Sequence, residues 1–590
     1  MAEFAPPVAD YLFLFDRVLH EEFRETPGSQ ILDIDTIAAV LNGMGRFAVD
    51  QVAPLARTAD ARGCWLENGQ VRTSPGLREA HQALMEQGWG GLHVATEDGG
   101  QGLPISLTFA ADDILSSGGI GFALYGILSL GVYRVLRALP ETGLDPIFRA
   151  KLASGAWAGT MCLTEPHCGT DLSLIHTSAT PAAGGTYRLS GVKVFISGGD
   201  HDLTDNIVHL VLARVAGGPP GLAGLGLFVA PKFSVDAAGN WSRPNGVRCA
   251  RLEDKLGLHA SATAELVFDE AEAWMVAAPG QGLAGMFQMM KMARVGTPFQ
   301  AIGAAEMAAQ IATAYAGERR QGRDVTGEGA RAPVPIYRHP NVRRDLLRMR
   351  VLTSSARMFA LLAATALDAC DHADARRAAA AEQKLSVLMP ISKAICSEIA
   401  VEVATTAMRT LGGHGYMRDN LVEGLLRDVQ VLPIYEGTND IQALDLVLRR
   451  IPAGSGKLLD ELLLELEAEL EFYRTLGLDP ACLETASTTL ALARTATQDL
   501  AGRLTTAPFS ALQAAKDYLW LLAHAWLAVL WLRVLAALRD DPPAGLDPEA
   551  KAAEAHFYFA YLGPDAELHA ARLRRADQVE ASLRRFPAPA

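Results

Sequence analysis

Cysteine is scarce, with seven in 590 residues, and no two of them form a Cys-x-x-Cys pair. The set is odd and scattered: Cys64, Cys162, Cys168, Cys249, Cys370, Cys396 and Cys482. That excludes a disulfide framework and reads as reduced thiols of an intracellular protein, so a cytoplasmic location is expected. Without cysteine pairs of zinc-ligand spacing, no metal site is expected. Positive charge is also short. The formal net charge of −14 argues against nucleic acid as the main partner, although a local pocket can still take an anion. The opening Met1-Ala2-Glu3-Phe4-Ala5-Pro6-Pro7 lacks the basic start and apolar run of a targeting signal. Long apolar runs are few. Residues 114–133 carry no charge and match the roughly 20 residues that span a bilayer, but Ser116-Ser117-Gly118-Gly119 interrupts them. Residues 518–532 are shorter and end at Arg533. Both read as buried core helices, and no membrane span is expected.

What is present is an ordinary globular balance, 49% hydrophobic and 20% charged. The length suits three or four domains, each with a sizeable core. After an N-terminal arm over residues 1–34, residues 35–157 read as helical. Ile37, Val40, Leu41 and Met44 follow helical spacing, and Gly-rich runs at 99–102 and 116–119 mark breaks between helices. From 158 to 279 the texture becomes β: Val192, Val194 and Ile196 alternate with Lys193, Phe195 and Ser197. With no helix-length crossover between its strands, this domain is expected to be antiparallel. Helical pattern returns over 280–450, with long alanine-rich segments that suggest an antiparallel bundle and Pro298 as an expected kink. A linker at 451–456 leads to a further helical domain over 457–590. The fold class is therefore mainly α with a central β domain.

Three segments carry chemistry. Residues 161–171 read Met-Cys-Leu-Thr-Glu-Pro-His-Cys-Gly-Thr-Asp. Thr164 and Thr170 offer hydroxyls, and Pro166 and Gly169 favour turns that expose backbone N–H groups. Alone, this is as well read as a capping loop. Lys193-Val194-Phe195-Ile196-Ser197-Gly198-Gly199 offers an aromatic ring and a hydroxyl; alone, it is an ordinary strand end. Tyr435-Glu436-Gly437-Thr438-Asn439-Asp440 places a carboxylate beside a glycine and follows the Gly-rich Leu411-Gly412-Gly413-His414-Gly415. Taken singly, Glu436 is a solvated loop acid.

In this order the "CLTEPHCGTD", "KVFISGG", "LGGHGY" and "YEGTND" segments resemble the flavin-dependent acyl-CoA dehydrogenases, over roughly residues 35 to 450. The wording "PVADYLFLFDRVL" and "YEGTNDIQALDLVLRR", with the extra helical tail, is similar to the larger bacterial branch of that family, which includes 3-methylmercaptopropionyl-CoA dehydrogenases. The resemblance implies an N-terminal helical domain, a β-barrel-like middle domain and a four-helix bundle. FAD would lie between β domain and bundle, partly across a subunit interface, rather than in a Rossmann domain. It implies flavin contacts from Met161, Leu163, Thr164, Gly169 and Thr170, and from Phe195, Ile196 and Ser197, where many members carry Trp-Ile-Thr. Leu411, Gly412, Gly413, His414 and Gly415 match a loop that reaches the FAD of a neighbouring subunit. Arg319 matches a diphosphate contact, and Thr438 and Asn439 match contacts beside the base. His339-Pro340 stands where many members have His-Gln, which puts a contact there in doubt. Thr170, Arg294, Tyr435 and Gly437 are the expected substrate-side residues.

The resemblance also implies that Glu436 removes the α-proton of an acyl-CoA while flavin N5 takes the β-hydride, giving the 2,3-enoyl-CoA. Hydrogen bonds to the thioester oxygen, one from the backbone N–H of Glu436, would stabilise the developing enolate. Some members carry the base on the first bundle helix, just before an arginine. Here that arginine is Arg294, Ala293 precedes it, and no carboxylate lies between Gly280 and Gly303. The expected partners are the acyl-CoA, an electron-transfer flavoprotein and a second copy of the chain, a dimer being favoured. The alternatives are an acyl-CoA oxidase that passes electrons to oxygen and a non-catalytic acyl-CoA-binding scaffold.

Overall fold

The computed structural model describes residues 4–139, 145–236, 238–324, 332–451, 456–540 and 543–587. The expected linker falls largely on 452–455, outside the described residues. The chain divides into two compact units: Gly43–Leu103 with Ala111–Gly296, and Met1–Asn42 with Pro104–Ala110 and Thr297–Ala590.

The first unit is built on a β domain. A small hairpin, β1 (Trp65–Glu67) and β2 (Gln70–Arg72), interrupts the stretch expected to be helical. The main strands are β3 (Trp157–Cys162), β4 (Ser178–Pro181), β5 (Tyr187–Ser197), β6 (Asn206–Val215) and β7 (Leu225–Pro231). Then come β8 (Phe233–Val235), β9 (Trp241–Pro244), β10 (Val247–Leu252) and β11 (Thr263–Ala277). Strand β11 pairs with β5, β5 with β4, β4 with β6, β6 with β7, and β7 again with β11. Five strands thus close on themselves in a barrel-like ring. Its interior is apolar, with Leu189, Ile196, Val211, Phe228, Leu266 and Phe268 in one cluster. The expectation of an antiparallel sheet needs correction: β6 runs parallel to both β3 and β4. A parallel pair needs a long crossover. Here the intervening chain, itself containing strands, supplies it without a helix.

One Gly-x-Gly-x-x-Gly run does occur, Gly280 to Gly285, between β11 and the following helix. Its setting is not a dinucleotide-binding one, because β11 is antiparallel to each of its neighbours and no βαβ unit forms. Packing explains Gly282 instead: a Cβ there would stand 2.6 Å from the Leu225 carbonyl oxygen.

Two long helical runs contain the residues expected to interrupt them. Helix α1 (Ile105–Ala138) runs through the Ser116–Gly119 segment and departs from helical geometry only at Gly119. Gly119, at φ 170° and ψ 104°, kinks the run there into two helical pieces, which is the break expected at this segment. Helix α2 (Gly282–Glu318) continues through Pro298.

In the second unit, helices α3 (Pro340–Ala369) and α4 (Ala375–Thr410) are joined by a short connection and pack together. Asp374 caps α4 by accepting from the backbone N–H of Arg376 at 2.8 Å. Helix α5 (Leu421–Val429) and the short α6 (Asn439–Asp445) lie against α4. The helices beyond residue 457 form the expected extra helical domain, which packs within this second compact unit. The indole N–H of Trp531, on the buried helix Ala515–Ala537, donates to Ser355 of α3 at 3.0 Å. Lys551 lies 2.7 Å from Asp10 and 2.8 Å from Glu554, which also accepts from Ser354 of α3 at 2.9 Å. Among the described residues, three helices are long and apolar enough to cross a membrane: α1, α3 and Ala515–Ala537. In each, at least 72% of the apolar window is buried inside the protein, which fits core helices.

Candidate active site

The residues singled out in the sequence fall into two groups, one in each compact unit. In the first unit, β3 ends at Cys162 and the chain enters the loop 163–171. Glu165 and Cys168 exchange backbone hydrogen bonds of 2.9 and 3.1 Å, closing a tight turn over Pro166-His167. Beneath it lies Lys193 of β5, whose side chain is fully buried. Its Nζ donates to the Leu163 carbonyl at 3.0 Å, to the Leu212 carbonyl at 2.8 Å and to Glu165 Oε1 at 2.9 Å. Glu165 also accepts from the backbone N–H groups of His176 and Thr177. Burial would raise its pKa, but the Lys193 charge and these hydrogen bonds outweigh that and hold it down at about 2. At Lys193 the balance differs: burial dominates and pulls the amine below its ordinary value, against the pull of Glu165.

This ion pair fixes the loop from below and leaves Gly169 and Thr170 exposed, with Met161, Leu163 and Thr164 half-buried. Nearby, β5 makes an irregular step against β11, where Ile196 opposes Ala264 but Lys193 opposes Leu266. At this bulge Phe195 takes a left-handed backbone, φ 60°. A bulge re-aims a side chain, and the Phe195 ring is 64% exposed between buried Val194 and Ile196. A left-handed non-glycine residue costs about 1–2 kcal/mol, and strain of this kind clusters at ligand and active sites. Burial pushes the Cys162 thiol up to about 12 and raises that of Cys168, so neither flanking cysteine is an activated nucleophile.

In the second unit, Glu436 sits in the turn between α5 and α6. It too is left-handed, with φ 57°, and Gly437 follows at φ 88°. Glu436 is half-buried, and its Oε2 is fully enclosed. The turn is held from behind. Gln442 Nε2 donates to the Glu436 carbonyl at 3.1 Å and to the Gly437 carbonyl at 3.3 Å. Lys393 Nζ, fully buried on α4, donates to the Gly437 carbonyl at 2.9 Å and to Asn439 Oδ1 at 3.0 Å. Asn439 is buried, and its Nδ2 donates to Ser397 Oγ and to Glu398 Oε1, each at 3.0 Å. Its side chain is thus turned into α4. Thr438 is exposed and caps α6 by accepting from the Ile441 N–H at 3.3 Å.

Tyr435 is half-buried, and its hydroxyl donates to Gln300 Oε1 at 2.6 Å. Burial raises its pKa, the charge of Glu436 raises it further, and a hydrogen bond with Thr297 opposes both. Leu411 is buried, Gly412, Gly413 and His414 are exposed, and Gly415 is packed so tightly that a Cβ would meet the Met408 carbonyl at 2.3 Å. Arg319, exposed, stands just past the end of α2. Arg294 is half-buried on α2. Basic residues just before and along the start of α3 are engaged: Arg338 pairs with Asp324, Arg344 with Asp345, Arg348 with Glu402 and Arg350 with Glu554.

Sequence reasoning missed Lys193, Lys393 and Gln442. A signal was available for Lys393, a lone lysine in the apolar helical run Ile391 to Cys396.

The architecture is a barrel-like β domain with a helical unit, with an exposed aromatic on one and a strained glutamate on the other. Comparison with known proteins gives the family. Residues 160–271 match the acyl-CoA dehydrogenase middle domain, 280–451 the acyl-CoA dehydrogenase C-terminal domain, and 473–583 an acetyl-CoA dehydrogenase C-terminal-like domain. The 3-methylmercaptopropionyl-CoA dehydrogenase of Ruegeria pomeroyi is 39% identical over 454 residues, covering 76% of this chain and 77% of that protein. The chain therefore belongs to the acyl-CoA dehydrogenase family and is an oxidoreductase of acyl-CoA thioesters. Among solved structures, ACDH-11 of Caenorhabditis elegans in complex with C11-CoA has a TM-score of 0.73 at 23% identity, covering 95% of this chain and 92% of that one. An acyl-CoA dehydrogenase from Bacillus anthracis complexed with FAD has a TM-score of 0.71 at 19% identity, covering 97% and 94%. These two share the fold.

Proposed function

We propose that this enzyme oxidises an acyl-CoA to its 2,3-enoyl-CoA, with Glu436 as the base, FAD as the hydride acceptor and an electron-transfer flavoprotein as the final acceptor. The observation that carries the reading is the left-handed backbone of Glu436, immediately before Gly437. Strain of this kind persists where the surroundings over-determine it, and it clusters at working sites. Proton removal from Cα needs a carboxylate held at a fixed place rather than one on a mobile loop. The backbone N–H of Glu436 would donate to the thioester oxygen, where charge develops as the α-proton leaves.

The residues fit FAD. Phe195 offers a flat, exposed aromatic face for a planar ring. Thr164 and Thr170 supply hydroxyls on a loop whose backbone is pinned by Lys193. Gly412 and Gly413 have open space around them, and Arg319 adds an exposed cation. When bound, FAD would accept the hydride from Cβ. With Asn439 turned into α4, the contact expected from it would come from its backbone. The acyl group would lie beside Tyr435, with Arg294 supporting the site.

The resemblance to the Ruegeria pomeroyi enzyme favours a short, sulfur-containing acyl chain as the first substrate to try. Anaerobic addition of 3-methylmercaptopropionyl-CoA, butyryl-CoA and longer acyl-CoAs should bleach the flavin with at least one of them. On admission of air, colour should return slowly. Rapid recovery would instead make the enzyme an oxidase, and a purified protein without FAD would refute the reading.

A further inference from the structure

We infer that Lys393 is a positioning residue for the reaction: it fixes the backbone that carries Glu436 and so sets the rate of α-proton abstraction. The inference rests on the reading of Glu436 as the base. Lys393 itself is fully buried and lies on α4, so it touches neither solvent nor an exposed ligand surface.

Two features make this more than packing. An ammonium is costly to bury, and one kept inside a helix pair needs good acceptors. Two acceptors of Lys393 Nζ belong to the turn after Glu436: the Gly437 carbonyl at 2.9 Å and Asn439 Oδ1 at 3.0 Å. Gln442 grips the same backbone through the Glu436 and Gly437 carbonyls. The two residues so held, Glu436 and Gly437, are consecutive and both left-handed. A turn of this kind has a relaxed alternative for its glutamate, and the lysine and glutamine hold it away from that alternative. Asn439 completes the lock: its Oδ1 takes the lysine, and its Nδ2 is tied to Ser397 and Glu398 of the same helix. The cation therefore sits on the carbonyl next to the base and decides where the carboxylate stands, without taking part in proton transfer.

The test separates positioning from folding. The probe is (ethylthio)acetyl-CoA, in which sulfur stands where the β-carbon would be, so no hydride can leave but the α-protons can exchange with D2O. FAD-loaded wild type, Lys393→Met and Glu436→Gln are compared for exchange rate, for probe affinity and for flavin content. Lys393→Met should bind FAD and probe within about twofold of wild type, yet exchange at least about tenfold more slowly. Wild-type exchange in Lys393→Met overturns the inference, as does a parallel loss of FAD, affinity and exchange, which would mark a structural role alone. If Lys393→Met does not fold, Gln442→Met removes the second donor to the Gly437 carbonyl and the donor to the Glu436 carbonyl. It should slow exchange at least about threefold at unchanged affinity, and wild-type exchange there overturns the inference too. Undiminished exchange in Glu436→Gln would instead refute the base, a distinct outcome.

Discussion

The hydroxyl of Tyr435 donates to Gln300 Oε1 at 2.6 Å, tying the residue before the candidate base to helix α2. Tyr435→Phe removes that donor and leaves a buried amide oxygen without it. The expected cost is about 1–3 kcal/mol, read as a lower urea midpoint with an unchanged slope. The phenol has no acid–base role in this account. Burial first, and then the Glu436 charge, put its pKa above the ordinary value of 10.0 in the folded state. Its contribution to stability is therefore complete below that value and is lost as the pH rises through the folded pKa. The pH dependence of turnover between pH 6 and 9, roughly the neutral range in which a phenol stays protonated, should be the same in Tyr435→Phe as in wild type.

The buried pair Lys193–Glu165 makes a prediction at the acid end. Burial works against the Glu165 carboxylate, yet Lys193 and the donors at Thr177 and His176 hold its pKa at about 2, against an ordinary 4.5. A folded pKa below the unfolded one stabilises the protein above 4.5, and that stability is lost as the pH falls from there towards 2. Lys193→Met should leave Glu165 buried and unpaired, costing about 3–5 kcal/mol. It should also flatten the pH dependence of the thermal midpoint over that acid window. A variant with the wild-type acid dependence would contradict the assignment.

Phe195 should trade stability against cofactor binding. Its φ of 60° suits glycine, and its exposed ring has little packing to lose. Phe195→Gly should therefore raise the thermal midpoint of the FAD-free protein, by relieving about 1–2 kcal/mol of backbone strain. The same substitution should weaken FAD binding, measured by fluorescence titration. A variant that binds FAD as tightly as wild type would remove Phe195 from the flavin site.

Much of the architecture was legible because periodicity and composition report on local structure. The long helices α3 and α4 follow from alanine-rich runs, and the alternation around Val194 marks β5. The parallel pairing of β6 with β3 and β4 was not legible, since it depends on which distant strands meet and the connecting chain carries no helix to announce it. The break expected at Ser116–Gly119 was legible and is the kink at Gly119, and the long segment expected around Pro298 is helix α2, which runs through that proline. At the candidate site, the words "CLTEPHCGTD" and "YEGTND" pointed to segments that the structure holds in hydrogen-bonded turns. They could not show that Asn439 faces inwards, or that Lys193 and Lys393 each spend a buried charge on backbone carbonyls. Those roles arise between residues far apart in the chain, where no spacing rule applies.

The central claim is that Glu436 removes the α-proton. It is tested most directly by anaerobic stopped-flow absorbance of the FAD-loaded enzyme with its best acyl-CoA, comparing wild type with Glu436→Gln. The amide keeps the size and the backbone but cannot accept the proton. The account predicts that the variant still binds FAD and acyl-CoA, while flavin bleaching slows by at least about a hundredfold, the low end of what a positioned base contributes. Bleaching of Glu436→Gln at the wild-type rate would contradict it.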